Sequence, residues 1–129
     1  MAHDDFTRPT EAELGILLVL WQRGPSTVRE VYEQLSRERP IVYTTILKIM
    51  QNMTEKGLLI RDESTRAHVY RAAQSEEQAQ KRLVGDLLDR VFGGSAQKLV
   101  LRALAARKAS AEERAEIRKL LDEMEGGES

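Results

Sequence analysis

The amino-acid sequence predicts a mainly α-helical protein with one small β-hairpin, followed by a C-terminal helical region. Apolar residues recur at helical spacing in six stretches, and they alternate only in a short segment around Tyr70. The longest apolar run, Ile16 to Trp21, has six residues, whereas a membrane-spanning helix needs about 20. The 129 residues, of which 41% are hydrophobic and 32% charged, have the composition of a globular domain.

Cysteine is absent from the sequence, which excludes disulfides, thiolate metal sites and cysteine nucleophiles. The chain does not start with a basic segment followed by an apolar one, so no secretory signal is expected. Together with the short apolar runs, these observations lead us to expect a cytoplasmic protein without membrane insertion.

The first predicted helix begins after Thr10, because Thr10 and Glu13 match the T-x-x-E pattern of a capping box. Gly24-Pro25 ends this helix. The apolar face of this helix comprises Leu14, Leu17, Leu18 and Trp21. Because Trp21 is in register with the three leucines, we expect it to be a core residue.

A second, shorter helix is predicted to start after a cap at Ser26 or Thr27 and to end near Ser36, before Pro40. Its apolar positions follow the i, i+3, i+4, i+7 rule of an amphipathic helix. They are Val28, Val31, Tyr32 and Leu35.

The third predicted helix runs from about Val42 to Lys56, and Gly57 provides its C-terminal stop. At 100° per residue, one face is apolar and comprises Val42, Ile46, Ile49, Met50 and Met53. The opposite face is polar and comprises Thr44, Lys48, Gln51 and Glu55, with Thr45 and Asn52 beside it. Leu47 lies to one side, where it is poorly placed for the core.

A β-hairpin is predicted after Gly57, where the apolar pattern changes its period. Residues 58–60 form one predicted strand, residues 67–72 alternate as a second, and the segment 61–66 between them is polar. Three helices followed by a hairpin is the order of a winged helix-turn-helix, in which the third helix is the recognition helix.

Three further helices are predicted in the C-terminal part. Ser75 starts the first, Gly93-Gly94 breaks it, Ser95 caps the second, and a capping box of Ser110 and Glu113 starts the third. Their apolar stripes are too long to cover one another in so small a unit, so burial against a second copy of the chain is expected. We therefore predict a winged-helix domain over 1–74 and a dimerisation domain over 75–129, with interface residues Leu83, Leu87, Val91, Leu99, Leu104, Ile117, Leu120 and Leu121.

The charge distribution places any DNA-binding surface in the middle of the chain. The net charge is −1, but residues 37–71 contain seven basic and four acidic residues, whereas residues 122–129 contain four acids and no base. Side chains near the start of a recognition helix reach base edges in the major groove, and those on the hairpin reach the backbone. The predicted contacts to double-stranded DNA are Tyr43, Thr44, Thr45, Lys48, Gln51, Asn52, Arg61 and Arg66.

An enzymatic function is not predicted. The HExxH, GxSxG, P-loop and GxGxxG patterns are all absent. His3 lies near the start of the chain, and His68 lies in an alternating strand, where a position on the hairpin is a simpler explanation than a metal ligand. No cofactor and no metal are expected.

Several motifs in this sequence resemble those of the penicillinase repressor family, the winged-helix repressors of β-lactamase and methicillin-resistance genes. The resemblance covers nearly the whole chain, and its most specific part is the V-Y-T-T-I-L string followed by E-K-G-L. The matching stretches are Glu11-x-x-Leu14 to Leu20-Trp21, Val28-Arg29-Glu30-Val31, Val42 to Leu47, Glu55 to Leu59, Arg66 to Tyr70 and Phe92-Gly93-Gly94-Ser95.

The resemblance implies a homodimer that represses transcription from a short palindromic operator. It also implies release from DNA when a membrane-bound sensor metalloprotease triggers cleavage in the C-terminal part, at a position that aligns with Arg102-Ala103. Studied members of the family have an Asn-Phe pair at this position, whereas this chain has Arg102 and Ala103. The copper-responsive branch uses C-terminal cysteines, and that mode is excluded here because the chain has none.

Two other classes of function compete with the repressor. A winged-helix module that binds only protein would fit the net charge of −1, but it leaves the polar helix face and the hairpin arginines unexplained. A regulator with a small-molecule pocket between its two domains is the third candidate, although the sequence contains no recognisable polar pocket motif.

Overall fold

The computed structural model describes residues 8–127, which form six helices and a two-stranded antiparallel sheet. The chain divides into two compact units, and the division falls between Leu83 and Val84, inside the fourth helix. The predicted boundary at residue 74 coincides instead with the start of that helix. The elements are α1 (Glu11–Arg23), α2 (Val28–Ser36), α3 (Tyr43–Glu55), β1 (Leu59–Asp62), β2 (Val69–Ala72), α4 (Glu76–Arg90), α5 (Ala96–Ala106) and α6 (Ala111–Gly127).

Hydroxyl side chains cap the helices where the sequence predicts. The Thr10 hydroxyl accepts from the backbone N–H of Glu13, whose carboxylate accepts in return from the backbone N–H of Thr10. Of the two candidates for the second helix, Thr27 is the cap. Ser75, Ser95 and Ser110 accept from backbone N–H groups at the starts of α4, α5 and α6.

The apolar face of α3 is narrower than predicted. Ile46, Met50 and Met53 are buried, and Ile49 is partly buried against them. Val42 is not in the core: it is the N-cap residue, has an extended backbone (φ −95°, ψ 137°) and is 63% exposed. An extended residue does not continue the 100° rotation of the helix, so counting back from Ile46 placed Val42 on the wrong face.

The hairpin pairs four residues of β1 with four of β2, from Leu59 opposite Ala72 to Asp62 opposite Val69. The first strand therefore extends beyond the predicted 58–60, and the second starts later than the predicted residue 67. The loop before α2 also pairs with β2, because Ser26 and Tyr70 exchange two backbone hydrogen bonds of 2.9 and 2.8 Å. Both side chains are buried, so this bridge fastens the hairpin to the helices.

The core lies in the first unit, between the three N-terminal helices and the hairpin. Trp21, predicted as a core residue, lies at its edge, half-buried, and its indole N–H donates to the carbonyl oxygen of Gln74 at 3.0 Å. Leu47 also packs against the core despite its lateral position. The buried cluster comprises Ile16, Leu17, Val19, Leu20, Val28, Val31, Leu35, Ile46, Met50, Met53, Leu59 and Tyr70.

A buried carboxylate connects α1 to the end of α3. Glu13 is 5% exposed, and the Nζ of Lys56 lies 2.7 Å from its Oε2. Burial raises the pKa of Glu13, but the hydrogen bond and charge of Lys56 together with the hydrogen bonds from Thr10 outweigh it, so the pKa lies below its ordinary value. The carboxylate is therefore ionised when the protein is folded at neutral pH.

Glu13→Gln is expected to lower the free energy of unfolding at pH 7 by roughly 1–3 kcal/mol, since it removes a charge-assisted hydrogen bond. The pKa is lowered in the folded state, so the carboxylate stabilises fully above its ordinary value of 4.5 and less as the pH falls through the folded-state value. Urea unfolding of the unchanged protein and of Glu13→Gln at several pH values measures the two free energies of unfolding. The difference between them should shrink as the pH falls below the folded-state pKa of Glu13. Glu11→Gln is the matched control, because Glu11 is exposed and its ion pair with Arg39 is long, at 3.9 Å. Equal losses in the two variants would contradict the role assigned to Glu13.

The second unit has almost no core of its own. No residue of α5 or α6 is buried in the single chain. The stripes that the sequence predicts to face inward are at most half-buried. Among the predicted interface residues of this unit, Leu87, Leu99 and Ile117 are half-buried, and Val91, Leu104, Leu120 and Leu121 are exposed. Leu83, also predicted at the interface, is half-buried and is the last residue of the first unit.

Within residues 8–127, no helix is both long enough and apolar enough to cross a membrane.

Candidate nucleic-acid interface

The polar face of α3 and the first strand of the hairpin form one shallow groove on the first unit. Five of the predicted DNA-contacting residues line it, four on α3 and one on β1, namely Thr44, Lys48, Gln51, Asn52 and Arg61. The inner face of α3 packs on the core, which fixes the rotation of the helix and leaves this polar face in solvent. The groove therefore presents hydroxyl, amide and cationic groups side by side.

Two cations at this surface are available for phosphate. Within the described part of the chain, neither Lys48 nor Arg66 forms an ion pair with a carboxylate, and both side chains are exposed. Arg66 lies at the tip of the hairpin, outside the groove lining.

Arg61 is held in place by its neighbours. Its guanidinium lies 2.7 Å from the carboxylate of Glu63. A side-chain hydrogen bond with Tyr70, followed by the interaction with Glu63, raises the pKa of Arg61 above its ordinary value. The ion pair offsets part of its charge, so Arg61 is a more rigid and less strongly cationic contact than Lys48.

Tyr43, the first residue of α3, packs within the protein. Its ring makes an edge-to-face contact with Tyr32, with ring centroids 5.6 Å apart, and the guanidinium of Arg29 lies 5.0 Å from its centroid. Such contacts fix the ring against α2. Tyr43, predicted as a DNA contact, is therefore half-buried against α2 at the start of the helix, beside the exposed Thr44 and Thr45.

Three further residues, Leu47, Thr54 and Glu55, line the same groove and are not among the predicted DNA contacts. The helical wheel places Glu55 on this polar face and Leu47 beside it, but it gives no sign of Thr54. The stacking of Arg29 on Tyr43 has no sequence signal, since the two residues belong to different helices.

A metal centre does not form among residues 8–127, where no three His, Asp or Glu side chains are grouped closely enough to hold an ion. His68 is exposed next to the start of β2. His3 lies outside the described residues.

Three helices, a paired hairpin beside the third helix and an exposed polar face on that helix define a winged helix-turn-helix protein. The chain belongs to the penicillinase repressor family, whose model matches residues 9–123.

Two relatives span nearly the whole chain. The transcriptional regulator BlaI of Mycobacterium tuberculosis is 30% identical over 122 residues, which cover 94% of this chain and 88% of that protein. The penicillinase repressor of Bacillus licheniformis is 26% identical over 114 residues, which cover 88% of this chain and 89% of that protein. Among solved structures, the transcriptional regulator Tm0710 from Thermotoga maritima matches with a TM-score of 0.52 at 17% identity, over 92% of this chain and 74% of that one, which is a likeness of fold.

Proposed function

We propose that this protein is a DNA-binding transcriptional repressor that acts as a homodimer on a short palindromic operator. The observation that carries the proposal is the groove on α3 and β1, in which five polar or cationic side chains meet while the other face of the helix is buried. The family and the names of the relatives support the same function.

In this proposal the start of α3 enters the major groove. The hydroxyl and methyl groups of Thr44 and Thr45 contact base edges, and Gln51 and Asn52 supply amides that match adenine. Lys48 takes a guanine or a phosphate. Arg61 and Arg66 hold the backbone from the hairpin, a role that orients the protein without reading sequence.

The second copy of the chain is proposed to cover the apolar side chains of the C-terminal helices. Val91, Leu104, Leu120 and Leu121 are between 44% and 62% exposed in the single chain, which is unfavourable unless another apolar surface covers them. Two-fold symmetry then places two copies of α3 on half-sites about one helical turn, ~10 bp, apart.

Release by a membrane-bound sensor metalloprotease is the proposed route of induction. Arg102 and Ala103, which align with the cleavage position of the family, are exposed but lie inside α5. A protease needs an extended substrate, so α5 must unfold locally before it is cut. Cleavage there would separate α6 from the winged-helix unit that carries the α3 groove, and it would weaken the dimer.

The proposed function is tested by titrating the full chain against the DNA upstream of its own gene and against a shuffled duplex of equal composition. Affinity for the upstream DNA should exceed that for the shuffled duplex by about 10³-fold or more at physiological salt. Binding to neither duplex would favour the protein-binding module, whereas equal affinity for both would show DNA binding without sequence preference and contradict the proposed repressor.

Arg66→Ala is expected to weaken binding to both duplexes alike and to reduce the slope of log affinity against log salt by about 1. The reason is that Arg66 is an unpaired hairpin cation that faces the backbone and not the bases. Lys119→Ala, in α6, removes the same charge from the C-terminal unit and should leave the slope unchanged. A loss confined to the upstream DNA would mean that Arg66 reads bases.

A further inference from the structure

Arg29, on α2, carries a charge that no carboxylate offsets. Its side chain is exposed, and it takes part in none of the ion pairs among residues 8–127, although Glu33 follows it by one helical turn. Arg29 is also the second residue of α2, where the positive end of the helix dipole disfavours a cation. The electrostatics of α2 therefore do not explain an arginine at this position.

The aromatic ring of Tyr43 holds the guanidinium of Arg29 in place. The guanidinium carbon lies 5.0 Å from the ring centroid, inside the limit of roughly 6 Å for a cation–π contact. The ring is itself fixed, because Tyr43 is half-buried and packs on Tyr32 with an angle of 79° between the two ring planes. Arg29 is thus an exposed cation with a defined position.

The way in which Arg29 is held leaves it able to bind an anion. A cation–π contact does not need the N–H groups of the guanidinium as hydrogen-bond donors to a carboxylate, so they stay available. Arg61 differs in this respect, since it is held by a 2.7 Å ion pair with Glu63 that offsets part of its charge. Arg29 keeps its full charge and its donors.

The ring that holds Arg29 belongs to the first residue of α3. The next residue, Thr44, already lines the α3 groove. When the start of a recognition helix lies in the major groove, groups beside that start lie next to the phosphate backbone that borders the groove.

We propose that Arg29 binds a backbone phosphate of the operator and that Tyr43 orients it for this contact. This inference rests on the proposed function. A guanidinium can donate to two oxygens of one phosphate at once, and this geometry favours an arginine that is already oriented. Since the phosphate is the same at every base pair, Arg29 adds affinity and fixes the position of α3 without reading sequence.

The test is a titration of the full chain with the upstream DNA and the shuffled duplex at several salt concentrations. Arg29→Ala should weaken binding to both duplexes by roughly tenfold at about 0.1 M salt, because one phosphate contact and its released counterion are lost. The slope of log affinity against log salt should fall by about 1 for each bound chain. Arg118→Ala removes the same side chain from α6 and should leave the slope unchanged.

Two substitutions of Tyr43 test the role of the ring. Tyr43→Leu keeps the charge of Arg29 but removes the cation–π contact, so it should weaken binding to both duplexes by about two- to fivefold with the slope unchanged. Tyr43→Phe keeps the ring and should bind like the unchanged protein. Equal losses in Tyr43→Leu and Tyr43→Phe would overturn the orienting role of the ring.

The phosphate contact has its own contradicting outcomes. It is overturned if Arg29→Ala leaves the salt slope unchanged, or if its loss is confined to the upstream DNA. Either result, obtained while the unchanged protein still prefers the upstream DNA, leaves the proposed function intact. Binding to neither duplex by the unchanged protein would overturn both proposals.

Discussion

Leu121→Asp is expected to lower affinity for the full operator by about 10²–10⁴-fold while leaving affinity for a half-site unchanged. Leu121 is 53% exposed on α6 and belongs to the C-terminal unit, far along the chain from the α3 groove. A carboxylate at this position leaves the fold of the first unit intact, but it opposes burial against an apolar surface of a second copy. Without the dimer, only one α3 helix contacts the operator at a time, and the avidity of two linked helices is lost.

The measurement combines sedimentation with titrations of full and half operators. Lys119→Asp is the matched control, because it places the same side chain on the polar side of the same helix. A chain ending after Leu83 should behave like Leu121→Asp. Truncation at Ala73 would be a poorer test, because it removes the Gln74 carbonyl that Trp21 bonds and the buried Ala79. Full-strength binding to the palindrome by a verified monomer would rule out the dimer mechanism.

Thr44→Ala should lower affinity for the operator by about 1–3 kcal/mol, roughly 5–150-fold, while non-specific binding stays nearly constant. Thr44 lies in the first turn of α3, exposed in the groove, where its hydroxyl and methyl groups are free to contact a base pair. Losing either contact affects the cognate sequence alone, because a shuffled duplex does not present the same partner.

Thr54→Ala is the matched control for this prediction. Thr54 lies on the same helix and lines the same groove, but its hydroxyl donates to the carbonyl oxygen of Met50 at 2.8 Å. Binding curves for the operator and for a shuffled duplex should separate the two variants. If Thr44→Ala weakens both duplexes alike, Thr44 contacts the backbone and the assignment of base reading to the start of α3 is wrong.

Local signals in the sequence predict where the helices begin and end in both units. The pairs Thr10 with Glu13 and Ser110 with Glu113 form the predicted capping boxes, because such a box needs only residues within one turn. Gly57 is predicted to end α3, and it lies two residues after the last residue of that helix. Its φ of +83°, a left-handed conformation that glycine adopts readily, explains why the helix stops there.

Contacts between distant parts of the chain are what the sequence does not reveal. Glu13 and Lys56 are 43 positions apart, and neither residue type indicates that the Glu13 carboxylate is buried and paired with Lys56. The spacing of Trp21 predicts a core residue, but its indole N–H needs a hydrogen-bond acceptor, and the ring lies at the edge of the core beside Gln74.

The bridge between Ser26 and Tyr70 has a consequence for how the protein avoids aggregation. β2 lies between β1 and the Ser26 loop, so backbone groups of Tyr70 are already paired on that side. The outer edge of β1 stays open, but it is four residues long and carries Arg61 and Asp62. Short, charged edges are poor templates for strand addition by another chain. A hairpin can therefore project toward a ligand as large as DNA without recruiting further copies edge to edge.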